Sequence, residues 1–143
     1  LHSFPTRRSS DLLSYIYNTT GSGVIKNIYI SNGADLLENI NNIAGREVQS
    51  NSRIDIGSVT ADAKLYVFAT NAQDGEGDIA FNGISYENVW KGSSRSTDLY
   101  LLNISNSVKS NNDISFAVRN GSILALQQII VTEQKVPAAV VKV

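Results

Sequence analysis

Asp74-Gly75-Glu76-Gly77-Asp78 is the densest group of carboxylates in the chain. Acidic residues at a spacing of two, with glycine between them, can wrap oxygens around a hard cation such as Ca²⁺. The helix-loop-helix calcium pattern is not met, because the twelfth position counted from Asp74 is Ser85, where a bidentate Glu is required. The competing expectation is a solvent-facing acidic turn between two strands. Calcium at Asp74, Glu76 and Asp78 is the only cofactor the sequence suggests. A glycosidase needs two carboxylates flanking a sugar bond. Asp74 with Glu87 is one such pair, and spacing does not separate it from ordinary surface charge.

Aromatic rings are the second resource. Trp90, Tyr86, Tyr100 and Tyr66 could stack on sugar rings, and Trp90 and Tyr86 lie just ahead of a Gly/Ser loop. The competing expectation is that Trp90 and Phe81 anchor the core, the usual role of large aromatics. Three triplets, beginning at Asn18, Asn103 and Asn120, have the Asn-x-Ser/Thr form of an N-glycan acceptor. Fifteen Asn and abundant Ser and Thr make such triplets common by chance.

Other chemistry is excluded by composition. The chain has no Cys, no Met and one His, at position 2. It therefore offers no thiol nucleophile, zinc finger or haem ligand, and no Ser-His-Asp triad beyond that terminal residue. No Gly-rich phosphate loop of standard spacing occurs. A net charge of −1 argues against a nucleic-acid binder. No stretch reaches the ~18 apolar residues of a membrane span.

The elements that must carry these groups read as short strands. Residues 13–17, 24–30, 53–59, 64–70, 78–81, 84–90, 98–104, 113–118 and 123–131 are apolar or β-branched runs, separated by Asn, Gly and Ser. Ile54 and Ile56 share one face, with Arg53 and Asp55 on the other. Leu65, Val67 and Ala69 lie opposite Tyr66 and Phe68, the pattern of a strand inside a sandwich. Asn82-Gly83 and Asn120-Gly121 each sit between two runs and predict hairpins. In the second, Ile114, Phe116 and Val118 supply one apolar face, and Ile129 and Val131 continue it on the partner strand. Residues 34–42 have helical spacing and predict one or two turns. The pattern is all-β: an antiparallel β-sandwich, jelly-roll-like.

Residues 1–12, LHSFPTRRSSDL, resemble one frame of a translated short-read sequencing adapter and are set apart from the fold. This divides the chain into an artefactual segment 1–12, a sandwich domain 13–134 truncated at its N-terminus, and 135–143 as a linker or the start of a further segment. On this reading the frame is expected to begin inside a gene, and the chain to be an incomplete fragment of a larger domain.

Residues 77–83 (GDIAFNG), 98–108 (DLYLLNISNSV), the pair Asn111-Asn112, 124–133 (LALQQIIVTE) and 28–37 (IYISNGADLL) together resemble the C-terminal half of an uncharacterised domain family. That family occurs in large secreted surface proteins of methanogenic archaea. The resemblance covers residues 24–133, with Gln127-Gln128 departing from the apolar closing strand. It implies an extracellular module of the cell surface, with no catalytic residues to carry over.

Three functions are in contention. The first is a non-enzymatic structural or adhesive module, partnered by other domains of the same surface protein. The second is a carbohydrate-binding module using Trp90 and Tyr86. The third, a hydrolase, has least support, and neither nucleic acid nor membrane is an expected partner. Exposure of the aromatics separates the first two. Removal of residues 1–12 is expected to leave the melting temperature within a few degrees, as checked by calorimetry of the shortened chain.

Overall fold

The computed structural model describes residues 15–18, 24–39, 48–57, 62–93 and 96–135. Residues 1–12 and the tail after Lys135 lie outside them. The described residues are all-β, in two antiparallel sheets. Strands β1 (Tyr15–Asn18), β2 (Val24–Asn39), β9 (Gly121–Lys135), β4 (Asp62–Thr70) and β7 (Thr97–Asn103) form the first, in the order β1-β2-β9-β4-β7. Strands β3 (Val48–Asp55), β8 (Asn111–Val118), β5 (Gly77–Phe81) and β6 (Ile84–Tyr86) form the second, in the order β3-β8-β5-β6. The sandwich expected from the strand pattern is present.

The core lies between the sheets. Leu65, Val67 and Ala69 from β4 are fully buried, with Ile130, Ala125 and Ile123 from β9 and Leu37 from β2. The facing sheet supplies Ile114, Phe116 and Val118 from β8, Ile79 and Phe81 from β5, and Ile54 from β3. The alternation of residues 53–56 holds: Ile54 and Ile56 are buried, Arg53 and Asp55 exposed.

Three expectations are corrected. The helical turn over 34–42 does not form; β2 continues to Asn39, and residues beyond it lie outside those described. Pairing to β9 over this length supplies backbone partners that one turn of helix could not match. The strand expected over 84–90 stops at Tyr86. Asn88 then takes a positive φ of 50° and turns the chain inward.

The third correction concerns the C-terminal hairpin. Asn120-Gly121 does not join paired strands: β8 and β9 belong to different sheets. Only Gly121 of the two has a positive φ, 69°, so the I′ turn is absent. The connection is an arch from one sheet to the other. Ile129 and Val131 accordingly face outward, while Gln128, Ile130 and Thr132 face the core. A register shift against β4, between Phe68 and Ala69, passes over Leu126 and switches the inward parity of β9. By contrast, Asn82-Gly83 does form the expected hairpin, with φ of 50° and 84° and Phe81 paired to Ile84.

One buried amide ties the second sheet together. Asn112 is fully buried. Its Nδ2 donates to the carbonyls of Lys109 (2.7 Å) and Ile54 (3.3 Å). Its Oδ1 accepts from Lys109 N (2.8 Å) and Asn82 Nδ2 (2.9 Å). Removing a buried amide leaves its partners unsatisfied, at ~1–3 kcal/mol. Asn112→Ala is expected to lower stability by about that amount or more in urea denaturation; an unchanged midpoint would contradict the network.

Candidate functional site

The acidic segment does not converge on a common point. Asp74 is exposed and pairs with Lys91. Glu76 is buried, against the expectation of a solvent-facing turn. Its Oε2 accepts from Gln73 N (2.8 Å) and its Oε1 from Gln73 Nε2 (3.1 Å). Asp78 is buried too. Its Oδ1 accepts from Asn88 N (2.7 Å), and its Oδ2 pairs with Arg119, which also reaches Asn88 Oδ1 at 3.2 Å. The three carboxylates therefore have separate partners: Lys91 for Asp74, Gln73 for Glu76, and Asn88 with Arg119 for Asp78. Among the described residues no group of three or more acidic side chains is placed to hold a metal. Glu87 is exposed.

Trp90 is fully buried, at 0% exposure, so it offers no face to a sugar. The turn at Asn88 carries Val89 and Trp90 into the core, which corrects the stacking expectation for Trp90. Its indole Nε1 has no hydrogen-bond partner among the described residues. Tyr86 and Tyr100 are half-buried and pack against the core. The glycan acceptors differ in setting. Asn103 is exposed, and its Oδ1 accepts from Ser105 N (3.1 Å) and Ser105 Oγ (2.8 Å). Asn120 is exposed at the arch. The side chain of Asn18 lies outside the described residues.

A different surface stands out. The two outer faces have opposite character. That of the four-stranded sheet carries Gln49, Asn51, Arg53 and Asp113. That of the five-stranded sheet is apolar across its strands. Leu101, Tyr66, Ile129 and Ile30 form one cross-strand row, in register through β7, β4, β9 and β2. Leu99, Phe68, Gln127 and Asn32 form the next, and Gln127 donates to Asn32. Leu99 and Leu101 are 50% and 51% exposed, and Leu36 on β2 is 59% exposed.

One end of this face is polar. Asp62, Lys64, Asn103, Ser105, Val131 and Glu133 border a pocket of about 210 Å³. Lys26 pairs with Glu133 at 2.8 Å. That hydrogen bond raises the Lys26 ammonium above its usual range and, acting in reverse, holds the Glu133 carboxyl below its own. Both groups are solvated, so the pair contributes little to stability.

The apolar face was the feature that reading by motif passed over. Its signal is visible in residues 64–70 and 98–104, where both parities of the strand are apolar. That pattern reads equally as a strand buried on both sides.

Fold and surface together define a thiol-free, jelly-roll-like β-sandwich with one apolar outer sheet. The chain belongs to the family described as Protein of unknown function (DUF3344), whose model matches residues 11–133. No curated protein matches it in sequence. Among solved structures, it is similar to part of BuGH86 in complex with neoagarooctaose. The identity is 15% and the TM-score 0.50, covering 78% of this chain. The chain spans only 19% of that protein. It is also similar to the CBM36-1 domain of a multidomain xylanase from the hindgut metagenome of Trinervitermes trinervoides. That match has 14% identity and a TM-score of 0.41, covering 91% of this chain and 94% of that one. A third match is CBM35 from Cellvibrio japonicus Abf62, at 12% identity and a TM-score of 0.31, covering 87% and 78%. At these identities the likeness concerns fold alone.

Glu76 explains the glycine at the arch. A Cβ on Gly121 would collide with the Glu76 carboxylate, and the positive φ disfavours any L side chain. Gly121→Val is expected to lose about 1–3 kcal/mol in urea denaturation. The loss should shrink in a Glu76→Ala background, because the two sites are in contact.

Proposed function

We propose that this chain is a non-catalytic module that works by docking, with a structural or adhesive role in an extracellular surface protein. The outer face of the five-stranded sheet seats on an apolar surface of another protein domain. The contrast between the two outer faces carries this reading. Solvated sheets alternate apolar and polar residues, as the four-stranded sheet does here. A contiguous exposed apolar patch on a soluble fold marks an interaction site.

The occupant is protein rather than sugar, on chemical grounds. The exposed side chains of the two rows are the aliphatic Leu99 and Leu101, while the rings of Tyr66 and Phe68 are half-buried and Gln127 donates to Asn32. An Asn- and Ser-rich, thiol-free composition supports placing the module outside the cell. So does the resemblance of residues 24–133 to archaeal surface proteins. Carbohydrate binding is the second reading. One observation favours it: the Lys64–Asn103 pair that borders the polar pocket lies two residue pairs along the β4–β7 ladder from Tyr66 and Leu101, on the same face.

Leu99→Ser combined with Leu101→Ser tests the proposal. The native chain is expected to enhance the fluorescence of an apolar dye such as ANS and to be retained on a phenyl matrix. The double variant should lose most of both, with a melting temperature within a few degrees of native. A large fall in stability would instead assign both leucines to folding. Chemical-shift changes at Lys64 and Asn103 on adding neutral oligosaccharides would favour the second reading.

A further inference from the structure

The chain has three Asn-Gly pairs: Asn32-Gly33, Asn82-Gly83 and Asn120-Gly121. With no Cβ on the following residue, the glycine nitrogen can approach the asparagine side-chain carbon with little hindrance. The fold treats the pairs differently. Asn82 is locked. Its Nδ2 donates to Ser107 O (2.7 Å) and Asn112 Oδ1 (2.9 Å), and its Oδ1 accepts from Asp113 N (2.9 Å). Its backbone nitrogen also donates to Asp113 O at 2.9 Å. Asn32 is exposed and accepts one hydrogen bond, from Gln127. Asn120 is exposed at the arch, and no hydrogen bond holds its carboxamide among the described residues.

We propose that Asn120 is a site of spontaneous deamidation, selected over the other two by the fold. The Gly121 backbone nitrogen attacks Cγ of Asn120 and forms a new C–N bond. The bond from Cγ to the amide nitrogen breaks, and ammonia leaves with the proton from Gly121 N. The resulting succinimide is opened by water at either carbonyl, giving aspartate or isoaspartate. Water is the only co-reactant, and no redox change occurs.

The position gives the reaction consequences. A new carboxylate appears at the arch, where Arg119 pairs with buried Asp78 and Gly121 lies against buried Glu76. Isoaspartate lengthens the backbone by one carbon immediately before Gly121, whose place is set by contact with Glu76. The reaction also destroys the Asn120-Gly121-Ser122 acceptor triplet, so a glycan on Asn120 and deamidation exclude each other.

Peptide mapping of the intact chain, aged at mildly alkaline pH, tests the proposal. In the folded protein Asn120 should convert about a hundredfold faster than Asn82, because three side-chain hydrogen bonds must open before Asn82 can react. Asn32 should fall between them. In urea the three rates should converge. Asn120→Ser should abolish the fast conversion without moving the melting temperature. Equal rates in the folded chain, an Asn82 or Asn32 peptide that converts first, or an Asn120 that converts only in urea would each overturn the proposal.

Discussion

The second sheet depends on an amide that never meets water. Asn112 sits at the start of β8, and its four hydrogen bonds reach the end of β3, the loop before β8 and the turn between β5 and β6. Each partner is a backbone group or a side chain that is itself fixed. Asn82 is held by Asn112 and in turn holds Asp113 N and Ser107 O. A buried amide with every donor and acceptor satisfied has one geometry, whereas an apolar residue there would tolerate several. The loop, the turn and two strands therefore share one register.

This network gives a physical meaning to sequence features otherwise known only as a pattern. The Phe81-Asn82-Gly83 turn and the Asn111-Asn112 pair lie far apart in the chain. In the fold they are two ends of one hydrogen-bonded unit. Asp78 belongs to the same class: with Arg119 and Asn88 it fastens β5 to the segments that follow β8 and β6. The residues that carry the family resemblance divide between the sheets: 77–83 and Asn111-Asn112 close the second, while 28–37, 98–103 and 124–133 run through the first, which is why they imply a fold more readily than a reaction.

Strand positions were legible in the sequence because alternation at residues 53–56, 64–70 and 113–118 is a local property of a half-buried strand. Partnership was not legible. Asn82-Gly83 and Asn120-Gly121 look alike, yet one closes a hairpin and the other an arch. The difference lies in what each following strand pairs with: β6 returns onto β5, whereas β9 pairs with the sequence-distant β2 and β4. The parity of β9 was hidden by the shift at Leu126, since one extra residue moves every later side chain to the other face. Stacking and core anchoring were both open for Trp90, and the positive φ of Asn88 goes with the core position. The exposed leucines were visible as residues, but exposure on an outer face is decided by what the rest of the chain leaves uncovered.

The arches have a consequence for how the molecule comes into being. Successive strands mostly alternate between sheets, so neighbours in space are seldom neighbours in sequence. Val24 pairs with Lys135, and Val48 with Val118. The central strand of the first sheet, β9, is the last in chain order among the described residues. During synthesis β2 and β4 emerge long before the strand that joins them, and each presents unpaired edges until it arrives. Closing such long loops is entropically slow. The nascent chain thus spends its most vulnerable interval waiting for β9, and a copy interrupted before residue 121 lacks the strand that joins β2 to β4.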